Sequence, residues 1–100
     1  MATQFGERIR ELRTKQNLLL RQLASLLDVD TSIISKVERG NRQMKKEHIP
    51  LLAKILKAEI DELMTLWLAD QIYAVVKDEK LGNKAMQLAE NKINLKKKKK

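Results

Sequence analysis

The stretch LRQLASLLDVDTSIISKVERG, from Leu20 to Gly40, constrains this chain more than any other, because it holds two short amphipathic helices with room for only a three- or four-residue turn between them. In the first, Arg21 to Leu27, the residues Leu23, Leu26 and Leu27 share one face, with Ala24 beside them where a second helix must come close. A larger side chain there would push the two helices apart. The second begins at Asp30, a favourable N-cap residue, and stops at Gly40, a favourable C-cap residue. The turn between them needs a positive φ, and Asp28, one of the few non-glycine types that tolerate it, stands there.

At 100° per residue, Ile34 and Val37 lie within roughly 60° of each other, while Thr31, Ser32, Ser35, Lys36 and Arg39 fan over an opposite arc of roughly 140°. One side suits a core. The other is small, polar and basic, which suits a helix that enters the major groove of DNA, although these residue types alone equally describe a solvated face of a helical bundle.

Charge distribution points to the same partner. The net charge is +8. Residues 1 to 58 hold twelve Lys/Arg against six Asp/Glu, residues 59 to 95 hold four against seven, and the last five are all Lys. The positive charge therefore sits with the helix pair and the tail, which favours an acidic polymer as partner for the first half and a different role for the second. The absence of cysteine excludes disulfides and thiolate metal sites, and the three aromatics and single proline fit an all-α chain better than a sheet. No stretch approaches the ~20 apolar residues of a membrane span, and MATQFGERIR lacks the apolar segment of a signal peptide. The expectation is a cytoplasmic protein without a membrane association. There is no Walker loop, no glycine-rich nucleotide fingerprint, no cysteine nucleophile and no histidine cluster, so neither catalysis nor a cofactor or metal is expected, and His48 stands alone.

The order of motifs resembles the lambda-repressor-like (Cro/repressor, xenobiotic-response-element type) helix-turn-helix regulators. It is carried by the FGERIRELR opening, Leu23 and Ala24, Val29, Ile34, the SKVERG run from Ser35 to Gly40 and the LAKIL run from Leu52 to Leu56. The resemblance implies an all-α helix-turn-helix bundle, here with one or two extra C-terminal helices. It also implies a regulator of transcription that binds double-stranded DNA as a homodimer. An antitoxin-like protein whose C-terminal half binds a protein partner, or a controller of a restriction-modification system, is the alternative.

Carried over position by position, the family's base-edge contacts fall on Thr31, Ser32 and Lys36, with Ile33 placed to touch a thymine methyl. The phosphate contacts fall on Arg39, Asn41, Arg42 and Gln43. The family also places a Ser or Thr cap and a phosphate-binding Gln at the start of the second helix. Here those positions are Leu19 and Leu20, so the helix must start on packing and backbone N–H groups, with Arg21 as a substitute phosphate contact. Arg13 and Glu38 match a pair that ties helix 1 to the end of helix 3, expected to be partly exposed, to contribute ~0.2–1 kcal/mol and to aim the Arg toward a phosphate.

Around this centre, Phe5, Ile9 and Leu12 predict a first helix from an N-cap at Thr3 to Gln16, with Asn17 in the left-handed conformation after it. A fourth helix, from about Glu47 to Leu56, must either begin late or kink at Pro50. From Ile60 to about Lys77 there are more apolar positions than one face can hold, which predicts a helix, or a closely spaced pair, buried on two sides. Met64, Trp67 and Leu68 are the expected dimer interface, with a last helix from Asn83 to Ile93 folded against it. The expected domains are 1–66 for DNA binding, 67–95 for dimerisation and 96–100 as a disordered lysine tail.

Overall fold

Each of the short helices that open the chain is ended by a left-handed residue, and a computed structural model that describes residues 3–98 shows the same stop four times. Asn17 (φ 58°), Asp28 (φ 57°), Gly40 (φ 78°) and Lys57 (φ 56°) reverse the backbone after α1 (Gln4–Lys15), α2 (Leu20–Leu27), α3 (Thr31–Glu38) and α4 (Ile49–Leu56). In every case the left-handed residue donates to a carbonyl three positions back and its successor to one five back. At α3, for example, Gly40 N–H meets Val37 O at 3.0 Å and Asn41 N–H meets Lys36 O at 2.8 Å. Asn17 and Asp28 behave as their chemistry predicts. Lys57 does not advertise itself, because nothing in a lysine side chain favours the left-handed region.

A 3-10 turn at Lys46–His48 precedes α4, which starts at Ile49 with Pro50 in its first turn. The helix thus begins late and does not kink, and the N–H that proline lacks is one that a first turn leaves unbonded in any case. The single helix α5 (Ile60–Val76) follows, then α6 (Gly82–Lys98). No described helix is long and apolar enough to cross a membrane.

The chain divides between Asp70 and Gln71 into two compact units. In the first, the expected stripes converge on one core: Phe5, Ile9 and Leu12 of α1, Leu23 and Leu27 of α2, Ile34 and Val37 of α3, Leu52 and Leu56 of α4, and Leu63 of α5 are all buried, whereas Leu26, expected on the same face of α2, is exposed. Its boundary falls beyond the expected residue 66 because Trp67 and Asp70 are tied back to it. The Trp67 indole N–H donates to Met44 O at 2.7 Å. The Asp70 carboxylate accepts the Gln4 and Phe5 N–H groups at 3.1 and 2.8 Å. With Thr3 Oγ1 accepting from Gly6 N–H at 2.9 Å, the free donors that open α1 are capped by a hydroxyl and by an anion placed at the positive end of the helix.

One expectation needs correction. The helix α5 is not buried on two sides: one face packs on the core, with Leu63 buried and Leu66 and Trp67 partly so, whereas Leu68, Ile72, Tyr73 and Val75 are exposed. The helix α6 runs on through Lys98, since Leu and Lys are good helix formers and cations are favoured at a helix C-terminus. Lys99 and Lys100 lie outside the described residues. Nor is α6 covered: its residues from 83 to 97 are exposed.

The closest approach between α1 and α3 occurs at Gly6, where an added Cβ would clash with Val37 O and lie 2.9 Å from Glu38 O. Gly→Ala within an exposed helix gains roughly 1 kcal/mol. Here the neighbours are backbone and cannot yield without moving α3, so the sign reverses. Gly6→Ala should lower the unfolding free energy by about 2 kcal/mol in a urea titration.

Candidate nucleic-acid interface

The helix α3 is held from beneath and left open above. Its Ile34 and Val37 are fully buried, and Ala24 of α2, 1% exposed, allows the two helices to close on each other. Between them Asp28 N–H returns to Ser25 O at 3.1 Å and Val29 N–H to Ala24 O at 3.0 Å, which makes the turn tight and reproducible. Asp30 occupies the N-cap position as expected, but its carboxylate makes no capping bond; the first turn is instead closed by Ile33 N–H to Asp30 O at 3.0 Å.

On the open side Thr31, Ser32 and Lys36 are exposed, Ser35 is half-buried, and Ile33 leans partly on the core, so that only part of its side chain is free. Arg39, Asn41, Arg42 and Gln43 continue this surface beyond the helix end, all exposed. Arg39 folds back so that its Nε donates to Ser35 O at 3.3 Å. Arg21 is exposed on the first turn of α2. The structure therefore places the residues expected to touch bases and phosphates on the accessible parts of α2, α3 and the loop after it. Trp67, expected at an interface, is partly buried against the core; Met64 is half-buried and Leu68 is exposed.

The electrostatics of this surface depend on what is kept off it. Glu38 is the only acidic residue of α3, and it is turned inward, 7% exposed. Arg13 meets it with two bonds, Nε to Oε2 at 2.6 Å and Nη2 to Oε1 at 3.0 Å, and donates Nη1 to Leu18 O at 2.8 Å. The pair ties α1 to the end of α3 as expected, but it is buried rather than partly exposed. The Arg13 side chain is only 11% exposed and fully engaged, so it anchors α1 to the end of α3 and does not reach outward to a phosphate.

Two positioning residues were missed by sequence reasoning. Gln22 Oε1 accepts the Leu19 N–H at 2.8 Å, which supplies the side-chain half of a cap that Leu19 itself cannot provide. The signal was present, since a Gln three residues into a helix is the reciprocal member of a capping box. Trp67, through its bond to Met44 O, pins the loop that carries Arg42 and Gln43, with the Met44 side chain buried beneath. Its partner is 23 positions away and no local signal marks it. Among the described residues no group of three or more His, Cys, Asp or Glu is gathered in a way that could hold a metal ion.

This arrangement has counterparts. Residues 4–66 match the model of the helix-turn-helix domain family. The chain belongs to that family. It is 37% identical over 62 residues to the HTH-type transcriptional activator BcrR of Enterococcus faecalis, covering 62% of this chain but only 30% of that protein's length. It is 31% identical over 61 residues to the control protein C.BamHI of Bacillus amyloliquefaciens, covering 60% of this chain and 75% of the relative. Among solved structures it is similar to the restriction-modification controller protein C.AhdI from Aeromonas hydrophila, with a TM-score of 0.55 and 44% identity over 59% of this helix-turn-helix chain and 89% of the other.

A buried cation left without its anion is expensive, roughly 3–5 kcal/mol. Glu38→Ala should therefore destabilise the protein by about 3 kcal/mol, and the double variant Arg13→Met with Glu38→Leu should recover most of that loss. Chemical denaturation of the three proteins checks both outcomes.

Proposed function

We infer that this chain is a sequence-specific double-stranded-DNA-binding regulator of transcription that acts as a dimer. The observation that carries the reading is the open face of α3: hydroxyls and one amine at its accessible positions, a basic polar loop after it, and its single carboxylate withdrawn and neutralised. Thr31, Ser32 and Lys36 read base edges, with the free part of Ile33 against a thymine methyl. Short hydroxyls bond either kind of base and lysine prefers the guanine acceptors, so selectivity per contact is moderate. Arg21, Arg39, Asn41, Arg42 and Gln43 hold the sugar-phosphate backbone and set register.

One helix of this length reads only a few base pairs. Two of them, a helical turn or roughly 34 Å apart on a two-fold dimer, read enough to select a site. The exposed Leu68 and half-buried Met64 of α5 are the side chains we assign to the dimer contact, with Trp67 behind them. A dimer seated over a promoter excludes polymerase sterically, which makes repression, including of its own gene, the simplest outcome.

Within this class the controller of a restriction-modification system is favoured as a second reading. It rests on coverage: the chain spans most of C.BamHI and C.AhdI, 75% and 89%, against 30% of BcrR.

Two measurements test the interface. On a randomised duplex library Lys36→Ala should change the preferred sequence, whereas Arg42→Ala should weaken all sites about equally; an unchanged preference in Lys36→Ala would mean that the base contacts lie elsewhere. With roughly six cationic phosphate contacts per dimer, from Arg21, Arg39 and Arg42 of each protomer, the logarithm of the binding constant should fall against the logarithm of salt concentration with a slope near −5. A flat response would remove the electrostatic basis of the reading.

A further inference from the structure

Two apolar helix faces in this chain are left uncovered, and they are matched in length and opposite in charge. On α5, the residues Met64, Leu68, Ile72 and Val75 fall within an arc of roughly 80°, on the side away from Leu63, and Asp61 lies inside the same arc. Val75 is 74% exposed. On α6, Ala85, Met86, Leu88, Ala89, Ile93 and Leu95 occupy one half of the helix, with Lys92 and Lys96 among them, and Leu88 is 71% exposed. Both helices have 17 residues. The helix α5 carries no Lys or Arg, and of its three carboxylates Glu62 is bonded to Arg8 and Asp70 caps α1, which leaves Asp61 as the charge of the exposed arc. The charged residues of α6 are Lys84, Lys92, Lys96, Lys97 and Lys98 against the single Glu90.

A lysine-rich helix of this length, exposed on every side, is only marginally stable on its own, and a face half apolar is held in place by burial. We propose that α6 docks along the exposed face of α5 from a second copy of this chain, antiparallel, and reciprocally across the two-fold axis. This deepens the dimer reading and rests on it. In the antiparallel sense the basic C-terminal turns of α6 meet Asp61 at the N-terminal turn of α5, each charge also lying at the helix end that favours it. Ile72 and Leu68 then face the Met86 and Ala89 region. The parallel sense would set the lysines against the apolar C-terminal end of α5. A pairing of α6 with α6 would oppose lysine to lysine. The exposed face of α5, with Asp61 at its start, is therefore the counterpart that both charge and length select.

Sedimentation equilibrium on the full chain decides it. Lys92→Glu with Lys96→Glu, and separately Asp61→Lys, should each weaken self-association about tenfold, because each change is repeated in both symmetric contacts. An equimolar mixture of the two variants should recover the wild-type constant to within about threefold, since one charge reversal meets the other in the mixed dimer. Circular dichroism establishes that both variants keep their helix content. If the double lysine variant dimerises as well as wild type, α6 is not the counterpart although the dimer stands. If the wild type is monomeric at micromolar concentration, or α6 instead binds vesicles of anionic lipid while the chain stays monomeric, the dimer reading and this proposal fall together.

Discussion

A carboxylate under the last turn of α3 would be costly to bury alone, and the way Glu38 is buried explains much of the architecture. Arg13 grips it with two charge-assisted bonds and holds the Leu18 carbonyl with a third, so one guanidinium joins α1, the loop before α2 and the end of α3. Planarity matters here, because the fork fixes direction as well as distance. The close approach at Gly6 follows from it: α1 can lie against the α3 backbone only where no Cβ intervenes. Together they set the angle at which α3 presents its polar side.

The helix-turn-helix was legible because its determinants are local. Apolar spacing in Leu23, Leu27, Ile34 and Val37 gives the buried faces, and the turn chemistry of Asp28 and Gly40 gives the stops. Pro50 also announced its constraint, and the helix begins where proline permits. What was not legible depends on distant partners. Asp70 caps a helix that begins 66 positions earlier, and Trp67 fastens a loop far back in the chain. Neither has a sequence signature, since the fold alone brings donor and acceptor together.

The misjudged features share a different cause. Counting apolar residues in α5 implied burial on both sides, but a count does not say whether the cover comes from the same chain. Burial of the Arg13–Glu38 pair was likewise invisible, because the positions alone carry no information about how much water reaches them.

The bond from Trp67 to Met44 gives the molecule a property of another kind. Trp67 is the only tryptophan in the chain. Its indole N–H is hydrogen-bonded to the loop that carries Arg42 and Gln43, and its ring rests on the core. Indole emission responds to the polarity and hydrogen bonding around the ring, so this protein carries an intrinsic optical gauge of the loop. A shift to longer wavelength marks release of the loop, and a constant wavelength through a titration marks a surface that arrives at its partner already shaped.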